Sequence, residues 1–201
     1  MFKKLFLFFG LIFLVNVAFA AEAPTEFVSR VANQVIEELK NHKATLHQDK
    51  SVVYQIVDRV LIPHVDTYGM SRSALGREVW SRATPQEKDQ FSKQFVRLVV
   101  KTYAGALAEY NNEQVKVLPI RGGYNGESRV KVESIITREG ASTIPLNYRL
   151  ILINGQWKLY DMTVEGVSLL ESFRSQFASE LSQGSLDQLI AKMEQHNAGK
   201  E

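Results

Sequence analysis

The sequence contains no cysteine among its 201 residues. Disulfide bonds are therefore excluded, and the thiolate-based zinc sites of small domains are disfavoured as well. None of the histidines has a second ligand at metal-binding spacing within a predicted rigid element; they are His42, His47, His64 and His196. Stability must come from a hydrophobic core, which a chain of this length can build.

An excess of charge of one sign is also missing once the first residues are set aside. The formal net charge is +2, and Lys3 and Lys4 account for all of it, which leaves 22 basic and 22 acidic side chains. A neutral chain creates no long-range field that attracts a phosphate backbone, and no dense basic run is present. We therefore expect no nucleic-acid partner.

A long apolar run occurs at the N-terminus. The basic start Met1–Lys4 precedes an apolar stretch from Leu5 to Val17 and the small-x-small sequence Ala18-Phe19-Ala20. This order is typical of a secretory signal peptide, and the run is shorter than the roughly 20 residues of a membrane span. We predict a cleavable signal peptide over 1–20 and one exported domain over 21–201, with an uncleaved anchor as the alternative. Because no cysteine follows the run, a lipoprotein anchor is excluded.

Helical periodicity dominates the next hundred residues. Apolar positions recur every four residues from Pro24 to Gln48, and a second helix is predicted from Asp49 to about Asp66 with an interruption at Pro63. After a less regular stretch from Tyr68 to Ala83, in which Gly69 and Gly76 flank a possible short helix, Thr84-Pro85-Gln86-Glu87 forms a capping box. The helix that follows is predicted to reach about Tyr110.

Beyond Asn111-Asn112 the hydrophobic period changes to two, which predicts a four-stranded antiparallel meander. Asn154-Gly155 is a strong signal for a two-residue hairpin turn, and it pairs Leu152 with Trp157 and Leu150 with Leu159. One face of the hairpin is then continuously apolar; its residues are Ile144, Leu146, Tyr148, Leu150, Leu152, Trp157 and Leu159.

After Glu165-Gly166 the helical period returns, with a stripe that begins at Val167 and a second helix after Gly184. We expect the apolar stripes of the Thr84 helix and the Val167 helix to cover the hairpin face. The fold class is therefore α+β, a twisted four-stranded antiparallel sheet with surrounding helices.

Catalytic motifs are scarce. There is no G-x-S-x-G nucleophile motif, and the glycine-rich run Gly122–Gly126 lies between strands, as a hairpin turn would. Asp161 and Glu165 lie four residues apart at a strand end and could act as acid and base. The alternative interpretation, which we favour, is that Glu165 with Gly166 begins the next helix and stabilises its positive dipole end.

Several runs resemble the periplasmic MlaC family, also called the toluene-tolerance auxiliary component (Ttg2D) of ABC transporters. The most specific run is Tyr160-Asp161-Met162-Thr163-Val164-Glu165-Gly166-Val167-Ser168-Leu169, followed by Phe173-Arg174-Ser175-Gln176-Phe177. Further similar runs are Trp80–Glu87, Val115–Pro119, Pro145–Leu150 and Gly155–Asp161. The resemblance covers about residues 25–195.

The resemblance implies a periplasmic phospholipid carrier, not an enzyme, that exchanges lipid between an outer-membrane lipoprotein complex and an inner-membrane ABC transporter and so maintains outer-membrane asymmetry. It needs no cofactor, since the phospholipid is cargo held in an apolar cavity between sheet and helices. By position, the implied cavity residues are Ile144 and Val167, with Leu146, Tyr148 and Leu170 as neighbours. Residues of the facing stripes that we add are Val99, Tyr103, Val132, Trp157 and Phe173.

Two other hypotheses remain open from the residues alone. The apolar faces could form a closed core, in which case the protein is a periplasmic scaffold that binds proteins without lipid cargo. A small hydrolase that uses Asp161 and Glu165 is the other. The contents of the space between the hairpin and the Thr84 helix distinguish these hypotheses.

Overall fold

The fold is an antiparallel sheet with helices before and after it, as described by a computed structural model for residues 22–199. The predicted signal peptide falls outside these residues. The helices are α1 (Pro24–Asn41), α2 (Lys43–Leu46), α3 (Ser51–Ile56), α4 (Thr67–Leu75), α5 (Arg77–Arg82), α6 (Pro85–Ala108), α7 (Leu169–Leu181) and α8 (Leu186–Ala198). The strands are β1 (Gln114–Val117), β2 (Arg129–Thr137), β3 (Ile144–Ile153), β4 (Gln156–Val164) and β5 (Val167–Ser168).

The predicted start of the longest helix is confirmed. The Thr84 hydroxyl accepts a hydrogen bond from the Glu87 amide at 3.2 Å, and the Glu87 carboxylate accepts one from the Thr84 amide at 2.7 Å. Two amides that the helix cannot satisfy internally are thus paired. A second capping box, formed by Ser185 and Gln188, begins α8.

Pro63 interrupts the second predicted helix, as expected, but the chain accommodates it over a longer stretch. The α-helix α3 ends at Ile56, a π-helical turn spans Val57–Leu61, and a 3₁₀ turn spans Ile62–His64. Proline supplies no amide proton and its ring crowds the preceding turn, so a regular α-helix cannot continue. Gly69, which we expected at a helix boundary, lies inside α4, whereas Gly76 separates α4 from α5 with a φ of 85°.

Within residues 22–199 the sheet has five strands in the order β1-β2-β3-β4-β5, one more than predicted. The extra strand is β5, because Val167 pairs with Val164 and Ser168 pairs with Thr163. Glu165 and Gly166 have positive φ angles of 49° and 86° and form the turn between β4 and β5. The prediction that Val167 belongs to the next helix is therefore wrong, and so is the interpretation that Glu165 and Gly166 begin it.

The β3–β4 hairpin has the predicted register near its turn, with Leu152 opposite Trp157 and Leu150 opposite Leu159. A β-bulge then shifts the register, so that Arg149 lies opposite Asp161 and Tyr148 opposite Met162. A bulge adds one residue to one strand and changes which side chains share a face. Beyond it, Met162 and Val164 join the apolar face, which we call the front face, while Asp161 lies opposite Arg149 on the back face.

Candidate functional site

Helix α1, and not α6 or α7, covers the front face near the Asn154-Gly155 turn. Phe27, Val28 and Val31 of α1 form one hydrophobic cluster with front-face residues of β2, β3 and β4. The buried strand residues of this cluster are Val130, Val132, Leu150, Trp157 and Leu159. The Trp157 ring N–H also donates to the Glu22 carbonyl oxygen at 2.8 Å, which fixes the beginning of α1 against the sheet. This half of the front face is a closed core.

The stripes of α6 and α7 pack against each other and against α4, α5 and α8. The rings of Phe95 and Phe173 meet edge to face at 5.3 Å, and Phe91 and Phe177 do so at 5.4 Å. Among the described residues this second cluster contains no strand residue. The expectation that both stripes cover the hairpin is therefore wrong, because the aromatic rings of α6 and α7 pack against one another instead.

The opposite end of the front face carries apolar side chains that are not fully buried. Ile136 lies opposite Ile144, Leu146 opposite Val164, and Val164 opposite Val167. Residues directly opposite in an antiparallel pair project on the same face, so these side chains form one continuous patch, which we call the open end. Ile144 is 37% exposed and Val167 is 59% exposed, whereas Leu146 is buried. Contiguous exposed apolar surface of this kind marks a binding site more often than scattered single residues do.

A polar pair separates the closed core from the open end. The Ser134 hydroxyl donates to the Leu146 carbonyl oxygen at 2.8 Å, and Tyr148 is its neighbour along the same face. Burial raises the pKa of Tyr148, and the hydrogen bond with Ser134 partly offsets this shift. On α6, burial likewise raises the pKa of Tyr103. Both phenols are therefore protonated at neutral pH and carry no charge.

The ten predicted lipid-contact residues fall in three places. Val132, Tyr148 and Trp157 lie in or against the closed core under α1. Leu170 and Phe173 lie in the α6–α7 cluster, with Val99 and Tyr103 half-buried against it. Ile144, Leu146 and Val167 form part of the open end, together with Ile136, Met162 and Val164, which sequence reasoning did not assign. The β-bulge explains the omission of Met162 and Val164, because strict alternation places them on the other face.

Asp161 is fully buried, and its carboxylate is hydrogen-bonded to residues at the beginning of α7. Its oxygens accept hydrogen bonds from the Ser168 hydroxyl at 2.8 Å and the Leu170 amide at 3.1 Å, and Arg149 approaches within 3.6 Å. The Ser168 hydroxyl in turn accepts from the Glu171 amide and caps α7. Glu165 is exposed in the neighbouring turn. The carboxylate expected as a possible acid or base therefore anchors the first turn of α7.

Two surface cavities have polar walls. One of about 760 Å³ is lined by Asn111, Asn112, Gln114, Thr137, Arg138 and Glu139, and one of about 460 Å³ by Gln34, Glu37, Glu38, Asn41, Arg59, Val60 and His64. Neither contains any of the ten predicted contact residues. Within residues 22–199 no group of three or more histidine or acidic side chains is placed to hold a metal ion. The helices of the same range include none with the length and apolarity to cross a membrane.

The fold and the open end define a class: an α+β domain whose sheet presents one partly covered apolar face. The model of the family described as MlaC protein matches residues 29–195, and the chain belongs to that family. The toluene tolerance protein Ttg2D of Pseudomonas putida is 29% identical over 168 residues, which cover 84% of this chain and 77% of the relative. The intermembrane phospholipid transport system binding protein MlaC of Haemophilus influenzae is 28% identical over 89% of this chain and 84% of its own length.

A solved structure supports the same assignment. The phospholipid-binding protein from Ralstonia solanacearum, determined in complex with a phospholipid, superimposes with a TM-score of 0.81 at 29% sequence identity. The match covers 88% of this chain and 98% of that protein. The α+β fold with an antiparallel sheet and surrounding helices, predicted from sequence apart from the fifth strand, is therefore confirmed.

Proposed function

We propose that this chain is a periplasmic phospholipid carrier that holds acyl chains against the open end of the front face. The observation that carries the proposal is the similarity, over 88% of this chain, to a phospholipid-binding protein solved with a phospholipid, at a TM-score of 0.81. The exposed Ile144 and Val167 support it independently, because an uncovered apolar patch on a domain of neutral charge favours an apolar ligand.

The energetics suit a carrier without a cofactor. Each buried methylene contributes about 0.8 kcal/mol, so a pair of acyl chains left in water would cost on the order of 20 kcal/mol. A protein surface of similar apolarity makes extraction from a bilayer nearly neutral in free energy. Net direction must then come from different affinities at the two membranes or from ATP hydrolysis by a transporter.

The burial pattern ranks the proposed contact residues. Acyl chains would first meet the partly exposed side chains of Ile144 and Val167, with Tyr148 at the margin toward the closed core. Val99 and Tyr103 are half-buried against the α6–α7 cluster and would contact lipid that reaches between the sheet and α6. Val132, Trp157 and Phe173 already have protein neighbours on all sides, so they would support the wall of the site and contact lipid only if the helices move.

We further propose that the chain is exported by its signal peptide as a single domain over 21–201. It would receive lipid from an outer-membrane lipoprotein complex and deliver it to an inner-membrane ABC transporter, or carry lipid the other way. The name of the Haemophilus influenzae relative, which refers to intermembrane phospholipid transport, supports this role.

Native mass spectrometry of the purified mature protein tests the proposal. We expect masses that correspond to protein with phospholipid, and uptake of lipid from vesicles after the cargo is removed. A homogeneous lipid-free mass combined with no uptake would contradict it. That result would favour the scaffold alternative, which the two closed hydrophobic clusters support.

A further inference from the structure

Most of the charged side chains on the back face of the sheet are basic. Side chains alternate along a strand, so the residues that lie between the front-face residues in the sequence project on the opposite side of the sheet. The basic residues there are Lys116, Arg129, Lys131, Arg149 and Lys158. The acidic residues of the same face are Glu133, which is exposed, and Asp161, which is buried.

The neighbouring charges offset this excess only in part. Lys131 pairs with Glu133 at 2.6 Å, and Arg149 lies 3.6 Å from Asp161 and 3.9 Å from Glu171 of α7. The Lys158 ammonium donates to the Pro63 carbonyl oxygen at 2.7 Å. The hydrogen bond and charge of Lys131, and to a smaller extent the charge of Arg121, lower the pKa of Glu133. Since the chain after residue 20 is neutral in sum, the back face is a local concentration of positive charge.

Two basic side chains occupy directly opposed positions on adjacent strands. Lys131 of β2 faces Arg149 of β3, and Arg129 faces Ile151 two positions further along, on the same face. Like charges directly opposite each other destabilise a sheet. The Lys131–Arg149 pair departs from this local rule, as functional surfaces often do, and an acidic neighbour of each side chain, Glu133 and Asp161, offsets the repulsion in part.

The same face has an apolar centre. Ile151 and Ile153 lie among the basic side chains and are half-buried, and the Arg129 guanidinium stacks over the Tyr160 ring at 5.3 Å. Protein interfaces typically combine an apolar centre with a polar rim and are enriched in arginine and tyrosine. The three long strands present on the order of 500 Å², which is the size of a weak, transient contact.

We infer that the back face is a docking surface for a protein partner with an acidic surface. This inference rests on the proposed function, because it assumes that the front face holds the cargo. A bilayer docked on the back face would have the whole sheet between itself and the open end, so direct lipid exchange at this face has no path. A protein partner can bind there while the open end stays accessible, and a small charged contact permits rapid release.

Binding of the full mature protein to immobilised poly-L-glutamate tests the inference. We expect salt-sensitive binding that Arg129→Glu/Lys131→Glu weakens roughly tenfold or more and Arg129→Gln/Lys131→Gln weakens less. The matched control, Arg77→Glu/Lys93→Glu, introduces the same charge change on exposed positions of α5 and α6 and should bind like the wild type. Circular dichroism verifies that each variant is folded.

Three results would overturn the inference: no binding by the wild type, equal weakening in both charge-reversal variants, or binding to vesicles of equal phosphatidylcholine and phosphatidylglycerol that depends on Arg129 and Lys131. The last would assign the face to a bilayer. Lipid occupancy, measured on the same variants by native mass spectrometry, should be unchanged. A wild type that lacks lipid contradicts the proposed function. Equal polyglutamate binding by Arg129→Glu/Lys131→Glu and by the control variant contradicts the docking surface.

Discussion

The Asp161 carboxylate accepts a hydrogen bond from the Ser168 hydroxyl at 2.8 Å across the turn that joins β4 to β5. Both groups are buried, and each also binds a backbone amide in the first turn of α7. The contact thus connects the β-bulge to the start of a helix. Val167, the most exposed apolar residue of the open end, precedes Ser168 and is held in place by this link.

Asp161→Ala should destabilise the protein by about 3 kcal/mol, because it leaves a buried amide and a buried hydroxyl without their acceptor. Asp161→Asn retains one acceptor oxygen and should cost about 1 kcal/mol. Urea denaturation followed by circular dichroism measures both values. Equal stability of the two variants would contradict the role of this carboxylate as an anchor.

Val167→Glu should abolish lipid binding while the fold survives. Val167 is 59% exposed, so its replacement costs little in the lipid-free protein, whereas a carboxylate against acyl chains has no partner. Lipid occupancy by native mass spectrometry is the measurement. Ala178→Glu, on an exposed position of α7, is the control and should bind lipid normally. Wild-type occupancy in Val167→Glu would remove Val167 from the site.

Replacement of single side chains by alanine should distinguish core residues from lipid-contact residues. Val132 is fully buried, so Val132→Ala should lower the free energy of unfolding by about 2 kcal/mol. Ile144→Ala, at a partly exposed position, should cost less than about 1 kcal/mol and should weaken lipid retention more than Val132→Ala does. Thermal or urea unfolding and lipid occupancy are measured on the same samples. The reverse order of effects on lipid retention would move the site into the closed core.

His64 should make stability depend on pH. Burial lowers its pKa below the ordinary value of 6.5, Arg30 and Lys158 lower it further, and Glu22 acts in the opposite direction. The folded state therefore binds fewer protons than the unfolded state between the two pKa values, so stability is full above about pH 6.5 and falls as the pH drops through this window.

Replacement of His64 by glutamine should flatten this pH dependence. The free energy of unfolding, measured in urea between about pH 7 and 5, should fall more steeply for the wild type than for His64→Gln. His47→Gln, at an exposed position, is the control and should follow the wild type. Parallel curves for the wild type and His64→Gln would show that His64 is not the group responsible.

The local elements of the fold could be predicted because their signals are local. The Thr84 capping box and the Asn154-Gly155 turn depend on residues within a few positions of each other, and both form as expected. The register of the hairpin follows from its turn length. The interruption at Pro63 follows from the geometry of the proline ring, although the extended π and 3₁₀ turns do not.

The β-bulge could not be predicted from alternation. Asp161 lies where strict alternation continues the apolar face, yet its carboxylate needs the hydrogen-bond donors of Ser168 and Leu170. Those donors become available only when β5 and α7 are in place. The bulge turns Asp161 toward them and brings Met162 and Val164 onto the front face, which completes the open end.

The sequence by itself determined the α+β class, the positions of the main helices and strands, the neutral charge after residue 20 and the family resemblance. The class and the positions of the elements follow from periodicity, capping and turn chemistry, which act over short distances along the chain, whereas the resemblance depends on specific runs such as Tyr160–Leu169. Only the tertiary structure decided that α1 covers the closed half of the front face and that Ile144 and Val167 remain partly exposed. An apolar stripe in the sequence predicts that those residues are buried. Which apolar surface covers the stripe depends on how elements distant in the sequence pack together.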